Sequence, residues 1–83
     1  MRAEELAHED LVALERAQRE AEALMARLQG LGYEVHLGRN TVLERWEAVA
    51  FSHEGRMVGY GWGQTRLEAL HSLVADLGHA GGE

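Results

Sequence analysis

The residues of this chain that could do chemistry are five histidines, four serine and threonine hydroxyls and a run of alternate glycines. The histidines (His8, His36, His53, His71, His79) fall in no H-x-x-x-H or H-E-x-x-H spacing, and there is no cysteine. A metal would therefore have to gather its ligands from separate elements, so no metal site is expected. His36 and His53 could meet if their strands are neighbours, and a histidine pair there would respond to pH. Thr41, Ser52, Thr65 and Ser72 each suit a cap or a turn. None stands by a base in a nucleophile pattern, so no catalytic residue is assigned and the chain is not expected to be an enzyme. The carboxylates fall on solvated helical faces, where a raised pKa has no cause.

The glycines Gly59, Gly61 and Gly63 alternate with Tyr60 and Trp62 and run straight into a helical pattern. This G-x-G-x-G is not the G-x-G-x-x-G fingerprint of dinucleotide sites, and it lies inside a strand rather than after one. Free amides near Thr65 and Arg66, where the helix begins, are the one place an anion could sit. No cofactor is implied. Packing and turn geometry explain the glycines as well.

Composition bounds the remaining classes. With 83 residues, 46% of them hydrophobic, the chain makes one small domain. At that size only about 60% of the unfolded surface is buried, so self-association is a natural supplement. The net charge is −6, and each half carries four arginines against seven acids (residues 1–29 and 30–83). No basic half exists to neutralise phosphates, so nucleic acid is not expected as a partner. There is no apolar run long enough for a membrane span and no secretory leader pattern, which gives a cytoplasmic expectation. The absence of lysine, isoleucine and proline, with abundant Ala, Leu, Gly, Glu and Arg, fits a GC-rich bacterial genome, including a thermophile's.

Elements must position these residues. Residues 3–29 read as one helix, with Ala7, Leu11, Leu14, Ala17, Ala21, Leu24 and Leu28 forming an apolar stripe. Its spacing from Leu14 onward is 3-4-3-4, which also suits a second helix. Gly30 and Gly32 end it, with Leu31 folding back on the last turn. Strands follow at 33–37, 46–53 and 57–63, with a loop at 38–44 and a Glu54-Gly55 hairpin turn. Thr65 caps a second helix, Glu68 completes a capping box, and Gly78 stops it, leaving 79–83 as a loose tail. The prediction is an α+β fold, a single α-β-β-β-α domain over 1–78 with a three-stranded antiparallel sheet and two helices on one face.

Strand alternation puts Trp46, Ala48, Ala50, Met57, Gly59, Gly61 and Gly63 on one sheet face. Val49, Phe51, His53, Val58, Tyr60 and Trp62 take the other. Neither face is polar. Glycine and alanine suit close approach by leucine-rich helices, which leaves Val49, Phe51, Val58, Tyr60 and Trp62 as an exposed interface patch. The reverse arrangement, with the aromatics as core, obeys the same alternation. A symmetric dimer, or a partner protein, would supply the missing layer.

This order, with the glycine ladder Val58-Gly59-x-Gly61-x-Gly63-x-Thr65 and an aromatic at Trp46, resembles the double-stranded-RNA-binding domain over about half the chain. That resemblance implies the fold. The family's lysine-rich start of the last helix is here Arg66-Leu67-Glu68-Ala69-Leu70, and its Gly-Pro-His loop is replaced by residues 38–45, GRNTVLER. The resemblance thus carries the scaffold without the RNA grip; duplex RNA binding is the alternative function. Gly63-Gln64-Thr65-Arg66-Leu67-Glu68-Ala69-Leu70 also resembles the strand-to-helix step of HicB-type antitoxin domains, which usually begin with a strand. Together these point to a small non-catalytic protein-interaction module, homodimeric and antitoxin-like.

Overall fold

A computed structural model describes residues 7–81, with side chains placed for 10–78. The order is α1 (Ala7–Gly30), β1 (Glu34–Asn40), β2 (Arg45–Phe51), β3 (Met57–Gly63) and α2 (Arg66–Gly81). The three strands form one antiparallel sheet in the order β1-β2-β3. The chain is thus a single α+β domain, α-β-β-β-α. The predicted start of the first helix at residue 3, with Glu4 and Glu5, lies outside the described residues.

The stop of α1 is a hydrogen-bonded turn built on Gly32, whose φ of +101° a side chain would strain. Tyr33 N–H donates to the Leu28 carbonyl at 3.1 Å and Gly32 N–H to that of Gln29 at 3.0 Å, which satisfies carbonyls the helix end leaves open. Tyr33 packs on the core with Leu28. Leu31, expected to fold back, is 71% exposed; its N–H joins the turn, donating to the Arg27 and Leu28 carbonyls at 3.1 Å.

The β1–β2 connection is shorter than the 38–44 loop the sequence suggests. Gly38, Arg39 and Asn40 pair with Glu47, Trp46 and Arg45, so only 41–44 form the turn. Asn40 Oδ1 accepts from the N–H groups of Val42 and Leu43 at 3.0 Å each, an Asx turn that replaces ladder bonds locally. Glu44 then takes a left-handed φ of 56° to re-enter the sheet. At the other hairpin β2 ends at Phe51, so His53 sits in the turn rather than on the strand. Ser52 exchanges backbone bonds with Gly55 and Arg56 there.

A bulge corrects the face assignment of β3. Ala50 stands opposite Gly59, but Phe51 stands opposite Met57, so one extra residue is inserted on β3. Val58 consequently packs against the core, and Met57, 56% exposed, takes the outer place opposite Phe51. From Gly59 onward the alternation holds.

The glycine–alanine face is the covered one. Ala48, Ala50, Ala69, Leu70 and Leu73 are fully buried, with Ala21, Leu28 and Val35 almost so. α2 lies across β2 and β3, close enough that a Cβ on Gly61 would stand 2.2 Å from the Leu73 backbone nitrogen. α1 forms the second helix of that layer, against β1 and α2. α2 runs through Gly78 to Gly81, so the expected stop at Gly78 and the tail from 79 are corrected: Gly78 does not take the positive φ that a glycine helix stop uses. Residues 82–83 lie outside the described residues.

Candidate functional site

Two features stand out: the uncovered sheet face and a groove beside α1. On the sheet face, Phe51, Val49, Tyr60 and Trp62 lie where alternation put them, on the side away from the helices. Trp62 is 48% exposed, and the other three are half-buried by one another and by the strands. His36 joins them from β1, its ring edge-on to Phe51 at 5.7 Å and its Nε2 2.9 Å from a Glu34 carboxylate oxygen. Val58, grouped with them in the sequence, faces the core through the bulge.

The other end of that face carries a polar network the sequence reading missed. Glu47 Oε2 accepts from Tyr60 Oη at 2.9 Å, from Arg45 Nε at 3.1 Å and from Asn40 Nδ2 at 3.2 Å. Arg45 Nη2 also donates to Tyr60 Oη at 2.9 Å, and its guanidinium lies 4.5 Å over the Trp62 ring. Three donors on one oxygen favour the ionised form, and the Tyr60 hydroxyl, with Asn40 and Arg45 behind it, holds the Glu47 carboxyl below the ordinary carboxylate range. Loss of hydration acts to lower the Arg45 pKa, but its bonds to Glu47 and Tyr60 outweigh that and raise it. Tyr60 is further fixed through its backbone: its N–H donates to Asp76 Oδ2 of α2 at 2.9 Å, closing an edge position of the sheet. The same alternation that placed Val49 and Phe51 assigns residues 45 and 47 to this face, so they were legible. Asp76 was not, because nothing local couples α2 to β3.

At the start of α2, Thr65 Oγ1 accepts from Glu68 N–H at 3.1 Å and Glu68 Oε1 accepts from Gln64 N–H at 2.8 Å. The capping box therefore fills the position with its own carboxylate, and an anion at Thr65 and Arg66 would have to displace it. Arg66 turns away to lie 4.6 Å over Trp46. The histidines do not gather: His36 is on β1, His53 in the turn, and His71 is 3.5 Å from Glu20 between the helices. The side chains of His8 and His79 lie outside the described residues. No group of three or more His, Asp or Glu side chains stands together among the described residues.

The groove opens between the middle of α1, from Leu14 to Met25, and the beginning of α2, over Leu37 and Trp46 of the sheet. About 580 Å³ in volume, it is walled by Leu14, Ala17, Met25, Leu37, Trp46 and Leu67, with Gln18, Glu22 and Arg66 among its polar members. α1 explains it: 24 residues at 1.5 Å span roughly 36 Å, against roughly 23 Å for a seven-residue strand. Only the second half of the helix, at Ala21 and Leu28, reaches the core. Among the described residues no helix is long and apolar enough to cross a membrane. No family model, no curated protein and no solved structure matches the chain, which leaves its residues and their geometry as the ground for a function.

Proposed function

We propose that the chain is a small non-catalytic protein-interaction module that associates with itself through its open sheet face. A cytoplasmic setting and a scaffold related to the double-stranded-RNA-binding domain, or to HicB-type antitoxins, belong to the same reading. The observation that carries it is the uncovered aromatic face: Val49, Phe51, Tyr60 and Trp62, with Met57 beside them, have both helices on the opposite side. Such faces usually meet another surface. The Glu47–Arg45–Tyr60 network stiffens the ring of Tyr60 and holds Arg45 against Trp62, so these two aromatics are presented in fixed orientations.

The RNA-binding alternative draws little support from the arginines. Of Arg39, Arg45, Arg56 and Arg66, which would have to cluster, Arg45 is committed to Glu47 and Trp62 on the outer face and Arg56 is 3.8 Å from Glu54 in the turn, while Arg39, paired with Trp46 in the ladder, and Arg66, lying on Trp46, are on the helix side. Phosphate contacts want such cations on one surface.

The test is solution mass by light scattering, for the wild type and for Phe51→Glu, with circular dichroism as a check on folding. Self-association lost in a folded Phe51→Glu protein supports the reading; an unchanged mass removes the sheet face from it.

A further inference from the structure

A stable interface takes about 800 Å² of accessible surface from each partner. Apart from the sheet face, exposed aliphatic side chains gather at one end of the molecule.

Leu11, Val12 and Leu14 are exposed on the projecting half of α1, the two leucines at 63% and 66%, and Val42 and Leu43 are exposed at the tip of the β1–β2 turn, Val42 at 87%. All five lie at one end of the molecule. The groove shows this, because residues 14–25 of α1 line it together with the last part of β1, the first part of β2 and the start of α2. The opposite end has a smaller recess, where Leu24 and Leu28 of α1 meet Val74 and Leu77 of α2, with the exposed Leu31 as its single highly exposed aliphatic. The five side chains expose on the order of several hundred Å², a large part of what one partner gives to a stable interface.

We infer that this end is an interface between two copies of the chain, in which the aliphatics of each copy enter the groove of the other. A second copy fits because knob and socket are on the same surface. Leu14 is both a projecting side chain and a wall of the groove, and the apolar recess beside it is lined by Met25, Leu37, Trp46 and Leu67. A two-fold contact needs such self-complementarity: one patch that both projects and receives. Charges of both signs rim the groove, Glu22 and Arg66 among them, so a copy related by a two-fold axis need not set like against like. The turn that carries Val42 and Leu43 is held by Asn40 Oδ1, so their presentation costs little ordering. This extends the self-association reading with a contact separate from the sheet face.

The experiment compares Leu14→Glu, Val42→Glu and Phe51→Glu by light scattering and by sedimentation over a range of concentration. Leu14 and Val42 are exposed, so both variants keep the fold, and circular dichroism verifies it. The expected result is that Leu14→Glu and Val42→Glu each halve the particle mass, or weaken association by roughly tenfold or more. A mass unchanged in both overturns the end contact. If only Phe51→Glu reduces the mass, the sheet face stands and this contact falls; if only Leu14→Glu and Val42→Glu do, the end contact stands and the sheet face falls. A wild type that is monomeric throughout overturns both.

Discussion

The seating of α2 on β3 can be measured one glycine at a time. A methyl group added at Gly61 would stand 2.2 Å from Leu73 N, 2.6 Å from the Ser72 carbonyl carbon and 2.7 Å from Ala69 O. All three are backbone atoms of α2, so no side chain can rotate out of the way. Non-bonded atoms are comfortable near about 3.5 Å, so the helix would have to retreat by roughly 1 Å along its closest approach. That retreat loosens Ala69, Leu70 and Leu73, all fully buried. Overpacking of this kind costs about 1–3 kcal/mol, and backbone on both sides places Gly61→Ala at the upper end. At Gly63 the nearest atoms are Glu68 Cβ at 2.4 Å and Ala69 N at 2.9 Å, so about 2 kcal/mol is expected. At Gly59 they are methyls of Leu77 and Leu73 at 2.7 and 3.0 Å, which can swing aside for about 1 kcal/mol. Gly38 has no atom within 4 Å of its added Cβ, and Gly38→Ala is expected to be neutral or stabilising by up to about 1 kcal/mol. In a domain of this size each kcal/mol moves Tm by roughly 4–8 °C, so thermal denaturation resolves the order Gly61, Gly63, Gly59, Gly38. A Gly61→Ala protein as stable as Gly38→Ala would show that α2 does not rest on β3 at this distance.

Two further tests address the turn and the polar network. Glu44 holds a left-handed φ of 56°, so Glu44→Gly should gain a few tenths to about 1 kcal/mol, and Glu44→Val should lose at least about 1 kcal/mol, by urea denaturation. The Glu47 carboxyl is held below its unfolded value in the fold, mainly by the Tyr60 hydroxyl, so its contribution is present above the unfolded pKa and lost as pH falls through the folded one. The wild type should therefore exceed Glu47→Gln in Tm at neutral pH, with the difference shrinking as acid is added; a gap that persists or widens in acid would contradict the network.

Periodicity made most of the architecture readable. Alternation from Gly59 to Gly63 separated the glycines from the aromatics but left open which set faces the helices; the approach of the α2 backbone at Gly61 and Gly63, where a Cβ would clash, decides for the glycines. Thr65 and Glu68 announced the start of α2, and their side chains make the bonds that a cap requires. What escaped the sequence depends on partners distant along the chain. The bulge that exchanges Met57 and Val58 is a matter of register between strands, with no local signature. Gly78 looks like a stop, but glycine ends a helix only when it turns left-handed, and a single glycine within a helix costs only about 1 kcal/mol. On the outer face, Arg45 and Glu47 were overlooked for the opposite reason. Alternation includes them, but charged residues beside an aromatic patch read as solvated until their bonds to Tyr60 are visible.

The two helices are attached on unequal terms, and that inequality bears on association. α2 is locked to the sheet by backbone-to-backbone approach at Gly61, by its buried leucines and by the Asp76 bond to Tyr60 N–H. α1 meets the same core mainly through Ala21 and Leu28, while Leu11 and Leu14 are left in solvent. Apolar burial is worth about 25 cal/mol per Å², so the second half of α1 is secured by the fold and the first half gains little from it. An isolated helix of so few residues is marginal in water. Whatever covers Leu11 and Leu14 therefore supplies the stabilisation that the first half of α1 lacks within one copy. The sheet face differs in this respect. Its Tyr60 and Trp62 are already braced by Glu47 and Arg45, so a partner there would find these rings in place. Burial at the groove end would therefore stabilise α1 as well as join two copies, whereas burial at the sheet face would add contact area to a surface whose orientation is already set.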